Sequence, residues 1–452
     1  MKKIFNIYVF SILITFTSCD DYLDVEPIGL VVPENVEHFD LLLNGERNIV
    51  FTSDQDDLVI SANDFVPGTF SFGNLDDPSN QTLQLFSWNS DLYTDSDPKQ
   101  IWSLPYANIY TFNSVANSVE NASLVPTYVE GDKVRIKAEA QTQRAFEYWM
   151  LVNSFAKQYD ASTAASDLGV PLVTTADVSQ TTPQRSTVQE IYDFILKDLE
   201  EAVVNLSSEP VNLARPSKGA AYAMLSRVKL YMGAYAEAIT YADLALAENS
   251  FIADYTVGID DLEDENYMRK MMGVGLGYRG GPLTSSLVNI FDATDARLTE
   301  LTRDNFNGDG TTIITSIFTQ RVTIWPTVPE VHLIKAECNV RLNNDSAAID
   351  DLNTVRVKRI PAYTNLTDAD FVSNAELLAF TLEEKRRETF RMNLRWFELK
   401  RLNLEPATAT TLVHTLPDGV TSFTLTPGAN NWVFPIPQQV LNFADLEQNP
   451  RD

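Results

Sequence analysis

Three histidines, His38, His332 and His414, are the whole imidazole supply of this 452-residue chain, and none stands in an HExxH-type pair. A zinc site or a Ser-His-Asp triad would need them to converge from far apart, and no local spacing prepares that. Acids are abundant instead, 62 Asp+Glu against 34 Lys+Arg. Pairs such as Asp56/Asp57 and Asp76/Asp77 are the residue type a glycosidase uses, but at this density adjacent acids arise by chance and carry no catalytic signature. A net charge of −28 repels phosphate backbones and anionic bilayers, so nucleic acid is not an expected partner. Two cysteines cannot build a disulfide framework.

Two loop sequences imitate ligand motifs. Gly273, Gly275, Gly277, Gly280 and Gly281 crowd around Tyr278 and Arg279, yet no GxxxxGK[ST] is present and no strand-to-helix context surrounds them. Asn305 to Gly310 opens like a calcium loop, but Ser316 stands near where a bidentate glutamate belongs, so a polar turn is the reading. Neither a cofactor nor a metal is expected.

The chain start has a different logic. Lys2 and Lys3 precede an apolar run from Ile4 to Phe16, then Thr17, Ser18 and Cys19. That is a secretory signal ending at a cysteine, the layout of a lipoprotein signal over residues 1–18 with Cys19 lipidated. A diacylated cysteine supplies two chains, enough for stable anchoring. No later stretch reaches the roughly 18 uninterrupted apolar residues of a spanning helix.

The elements that would position any site are mostly helical. A short helix is expected over Asn35–Leu43, and residues 51–100 read as an irregular excursion broken by Pro67, Gly68, Gly73, Pro78 and Pro98. Apolar spacing predicts helices from near Pro105 (Tyr106, Ile109, Tyr110, Val115, Val119) and over Val134–Phe155. A third spans Thr187–Leu206, with Glu190 completing a capping box. Ala220–Ala247 reads as two antiparallel helices broken at Met232-Gly233, and Val331–Val357 echoes it around Leu342-Asn343-Asn344. These resemble tetratricopeptide (TPR) pairs, whose stacking buries a continuous core. Cys338 is expected in that core. Residues 251–326 lose periodicity again, and Glu376–Leu402 is a final helix or helix pair whose Glu383–Glu388 run suggests exposed, salt-bridged turns. Trp102 and Trp396 fall on helical faces as core aromatics, and the chain after Glu405 is Thr-rich and extended.

Six segments, in order, resemble the SusD/RagB family of outer-membrane nutrient-binding lipoproteins. They are Cys19–Pro27; Tyr106–Tyr110 continuing to Val115; Ala138-Glu139-Ala140 through Arg144-Ala145-Phe146; and Gly281–Val288 with Phe291-Asp292 and Asp295-Ala296-Arg297. The others are Glu384–Glu388 with Arg395–Arg401, and Phe434–Pro437 with Gln448-Asn449-Pro450. The resemblance implies a mostly α fold, with TPR-like helical pairs forming a right-handed superhelical scaffold and irregular loop-rich segments forming the ligand face. After the signal, residues 19–452 are then one domain: 19–100 an N-terminal loop region, 101–250 and 327–405 the scaffold, 251–326 a ligand-face insertion, 406–452 an extended tail. It also implies a partner, a SusC-like TonB-dependent outer-membrane transporter, with the lipoprotein lipid-anchored and facing the extracellular side.

If the ligand is a glycan, aromatic rings on loops would stack on the C–H faces of sugars while polar neighbours bind hydroxyls. The first irregular region offers Phe72, Trp88, Asn89, Asp91 and Tyr93; the second offers Tyr267, Tyr278 and Arg279. Trp88 is the leading candidate, because indole has the largest stacking face. An oligopeptide ligand is the alternative reading, and a glycosidase the least favoured one.

Overall fold

A computed structural model describes residues 33–44, 51–54, 56–67, 80–93, 99–273, 282–304, 311–313 and 323–452. Cys19 with the signal, Phe72, Tyr278, Arg279 and the 305–310 turn lie outside the described residues.

Helix α1 (Val36–Leu42) starts at Asn35, whose side chain accepts the His38 backbone N–H. Strand β1 (Phe51–Asp54) and two six-residue helices, α2 (Asp56–Ser61) and α3 (Gln81–Phe86), occupy part of the stretch expected to be irregular. Helices this short show no apolar period in sequence; tertiary packing makes them. Helix α4 (Gln100–Ser118) begins ahead of Pro105, which it carries inside. Ile101 and Trp102 are buried, and that packing outweighs the one N–H the proline removes. Helix α5 (Glu130–Phe155) is buried along most of its length. Strands β2 (Leu168–Pro171) and β3 (Arg185–Thr187) pair antiparallel and lead into α6 (Val188–Ala202). There Thr187 and Glu190 form the expected capping box, with Glu190 N–H to Thr187 Oγ1 at 3.1 Å and Thr187 N–H to Glu190 Oε2 at 2.8 Å.

The first repeat pair is α7 (Lys218–Tyr231) with α8 (Tyr235–Glu248). Gly233 turns it at φ 74°. Strand β4 (Met271–Gly273) and helices α9 (Ser285–Val288) and α10 (Ala296–Leu301) lie between it and the second. The second, α11 (Val328–Arg341) with α12 (Asp345–Arg356), turns at Asn343, φ 60°. The matching left-handed residue after each first helix is the αL cap such a turn requires. Helix α11 packs on α7, α8 and α13 (Asn374–Thr389), so the pairs share a core, with Cys338 fully buried in it. Burial pushes the Cys338 thiol up to about 12, so it is inert at neutral pH. Asn393, at φ 56°, separates α13 from α14 (Arg395–Leu402). The tail forms a hairpin, Leu412–Thr415 against Ser422–Leu425, and a short α15 (Gln438–Leu441). No helix among the described residues is long and apolar enough to cross a membrane.

The charged motifs go inside, which corrects the expectation of exposed turns at Glu383–Glu388. Glu384, Lys385, Arg387 and Glu388 are buried. The Glu388 carboxylate accepts Arg359 Nε and Nη2, both at 3.0 Å, and Arg297 Nη1 at 3.1 Å. Glu384 meets Arg297, Arg356 and Arg387, while Glu337 takes Arg401 at 2.7 and 3.0 Å and Arg341 at 2.9 Å. Burial alone would raise these carboxyls, but the surrounding guanidiniums hold Glu337, Glu384 and Glu388 down at about 2. On α5, Arg144 grips Asp198 through two 2.8 Å bonds and Asn113 through one of 2.7 Å. The sequence motifs are therefore joints between helices.

Candidate functional site

The structure overturns Trp88 as a ring open to ligand. Trp88 is 3% exposed, its indole N–H donates to the Ser61 carbonyl at 3.0 Å, and its ring lies 4.2 Å from that of His414. Asn431 Nδ2 (2.9 Å) and Arg451 Nη2 (3.3 Å) hold its backbone carbonyl. Residues 87–93 are thus nailed to the tail through their largest side chain. Tyr267 is likewise buried, its hydroxyl on the Asn249 carbonyl at 2.7 Å. Tyr93 is half-buried, donating to Asp57 Oδ2 at 2.7 Å. Asn89 and Asp91 are exposed side by side, the Asp91 N–H on Asn89 Oδ1 at 2.9 Å. The two irregular regions do meet: β1 runs parallel to β4, Val66 N–H reaches the Pro282 carbonyl at 2.9 Å, and Thr284 N–H reaches that of Asp64 at 2.9 Å. None of the five described candidates presents an exposed ring.

A cleft with open aromatic surface lies elsewhere, along α4. Trp102, Tyr106 and Tyr110 stand four residues apart and so share one helix face. They floor a cleft of about 500 Å³, in the range that holds a small ligand. Trp102 and Tyr106 lie ring to ring at 5.1 Å, with Trp102 edge-on to Phe155 at 4.8 Å. Tyr110 is 46% exposed and offers its face to solvent. The opposite wall is the 171–183 segment, whose Thr174, Thr175, Thr181 and Thr182 line the cleft with Asp177 and Gln180.

That wall is fixed by α4 and α5. Asn113 Nδ2 donates to the carbonyls of Val173 (2.9 Å) and Thr175 (3.2 Å), and Asn117 Nδ2 to that of Thr174 (2.8 Å). The Tyr148 hydroxyl donates to the Val173 carbonyl at 2.7 Å and accepts its N–H at 2.8 Å. Tyr106 donates to the Pro171 carbonyl at 2.9 Å, and burial pushes its phenol well above the ordinary value, so it stays a neutral donor. The result is a pre-set slot with an aromatic floor and a hydroxyl-rich wall. It can stack a ring bearing C–H faces and hydrogen-bond groups around its edge. Among the described residues no cluster of three or more His, Cys, Asp or Glu could hold a metal ion. The sequence carried the Tyr106–Tyr110 spacing, but as helix periodicity; nothing local says a threonine-rich segment folds over it.

Comparison with known proteins gives consistent likenesses. Residues 21–230 match the SusD-like_3 family model, described as "Starch-binding associating with outer membrane". SusD-like protein P38 of Formosa agariphila is 27% identical over 262 residues, 56% of this chain and 47% of that one. SusD-like protein P2 of the same organism is 27% identical over 298 residues, 61% and 55%. The chain thus spans about half the length of the curated relatives it matches. Among solved structures, a putative sugar binding protein from Bacteroides vulgatus superposes with TM-score 0.74 at 19% identity, covering 93% of this chain and 99% of that one. Surface glycan-binding protein A from Bacteroides uniformis gives 0.70 at 16% identity, covering 91% and 99%.

Proposed function

We propose, from the premise that this chain is a SusD-like protein, that it captures carbohydrate in the α4 cleft and hands it to a membrane transporter. The observation that carries the reading is the Trp102–Tyr106–Tyr110 floor facing a threonine-rich wall held by Asn113, Asn117 and Tyr148. Sugars are amphipathic in the same sense: C–H faces suit the tyrosine ring, and hydroxyls suit threonine and amide groups. A slot fixed before binding loses little conformational freedom when filled. Surface capture of a polymer needs no tight single site, because many weak sites along one chain raise the working affinity. The family description supports both starch-type ligands and an outer-membrane setting. A lipid on Cys19 would tether the protein there, and a SusC-like TonB-dependent barrel would receive the captured oligosaccharide.

The test is affinity electrophoresis of the purified protein through gels cast with a panel of neutral and acidic polysaccharides, with reducing ends assayed in parallel. Retardation by at least one polymer, without release of reducing ends, is the expected result. Protein-dependent release would make it an enzyme. Retention by no polysaccharide, with binding to oligopeptides, would replace the carbohydrate reading with peptide capture.

A further inference from the structure

A second cleft, of about 470 Å³, borders the same β2–β3 ribbon: Leu168 and Arg185 line it, while Pro171 and Pro183 line the aromatic slot. Two buried cations face into its lining, Arg185 (8% exposed) and Lys400 (4%). Unlike the arginines around Glu337, Glu384 and Glu388, neither has a carboxylate in its hydrogen bonds. Arg185 donates to the carbonyls of Phe155, Leu168, Gly169 and Glu447 and to Asn449 Oδ1. Lys400 donates to the carbonyls of Asn153 and Ala156, which leaves one N–H over when it is protonated; burial pushes its ammonium down to about 7, and an anion beside it would hold the proton on. The C-terminal end of α5 answers part of this charge, but a helix end carries only about half a negative charge. Three acids stand on the rim: Asp167 is paired with Lys157 at 2.8 Å, Asp160 accepts the Ser162 hydroxyl at 2.7 Å, and the exposed Glu447 acts on Arg185 through its charge.

Two more polar atoms on lining residues are buried without a partner, Gln158 Oε1 and Asn403 Nδ2. Gln158 is 6% exposed, and its amide nitrogen is already spent on the Tyr231 carbonyl at 3.0 Å. Unmet buried groups of this kind cost stability until a partner reaches them. The cleft therefore combines two buried basic groups that no carboxylate hydrogen-bonds, spare donors and one spare acceptor, in a chain whose net charge of −28 otherwise repels anions.

We propose that this cleft takes an anionic substituent of the captured saccharide, a carboxylate or a sulfate ester. Lys400 Nζ and Asn403 Nδ2 donate to it, and Gln158 Oε1 accepts a neighbouring hydroxyl. The inference rests on carbohydrate capture by this chain but uses none of the aromatic-floor residues.

The experiment titrates the protein with glucuronate, glucose 6-sulfate, glucose and glycylglycine by calorimetry, alongside Asn403→Asp. Asp keeps the acceptor that takes the Thr410 N–H at 2.8 Å and replaces the spare donor with a charge. At least one anionic sugar should bind about ten-fold tighter than glucose, and Asn403→Asp should erase that preference. Its melting temperature and its retention on neutral polysaccharide gels should be unchanged. As a readout independent of any variant's folding, the anionic sugar should shift the Lys400 15Nζ resonance of the wild-type protein while glucose leaves it in place. Equal affinity for charged and neutral sugars, an unmoved Lys400 resonance, or glycylglycine binding tighter than both anionic sugars would each overturn the proposal. A protein that fails here yet is retained on neutral gels keeps the capture function and loses only the anionic subsite.

Discussion

The lattice of buried ion pairs around α13 and the cleft along α4 use side chains against type. In the lattice, Glu337, Glu384 and Glu388 are fully buried among Arg297, Arg341, Arg356, Arg359 and Arg401. In the cleft, aromatics at helical spacing, the usual material of a core, leave Tyr110 open to solvent over a built wall. Charge in the first region does structural work, and in the proposed function aromatic surface in the second does the recognition. A guanidinium joins two or three helices with directional bonds, which apolar contacts cannot do; a ligand slot for polar rings needs apolar faces that stay uncovered.

Acid should break the comparison most severely. The lattice glutamates sit near 2 when folded against an ordinary value of 4.5, so their stabilisation is whole above about pH 4.5 and drains away as pH falls towards 2. Thermal melts from pH 7 to pH 2.5 should be flat to about pH 5 and then drop steeply. A melting temperature indifferent to pH over that interval would mean the carboxylates do not hold the fold. Removing one lattice member comes next. Glu388→Ala leaves Arg297 and Arg359 short of their shared partner and should cost about 3–5 kcal/mol in urea unfolding. A loss below about 1 kcal/mol would show the pair to be replaceable. Trp88→Ala is comparable but smaller in reach, because it empties one pocket against His414. It should cost about 3 kcal/mol while leaving retention of the still-folded protein on polysaccharide gels intact. Lost retention at unchanged stability would restore Trp88 as a ligand platform.

Much of the scaffold was legible from the sequence. The repeat pairs around Gly233 and Asn343, the Thr187–Glu190 box and the buried Cys338 all followed from periodicity and turn chemistry, which act within a few residues. The lattice was not legible, because Glu384 and Glu388 at four-residue spacing read equally as an exposed helix face; only the arrival of Arg297 and Arg359 from distant segments buries them. Trp88 misled for the same reason. Its neighbours Asn89 and Asp91 are exposed, yet its own backbone, at φ 52°, turns the indole inward. Tyr110 was read as part of a helix and not as a surface, since the segment that makes its neighbourhood a slot lies some 60 residues further along and is tied to α4 by Asn113 and Asn117.

The most direct measurement is Tyr110→Ala, followed by affinity electrophoresis and thermal melting on the same preparation. Tyr110 is half exposed, so stability should change by no more than about 0.5 kcal/mol. Retention on the polysaccharide that retards the wild-type protein should fall at least about ten-fold, as expected for loss of a stacking ring. Undiminished retention with an unchanged melt would contradict the assignment of the α4 cleft as the place where carbohydrate is held.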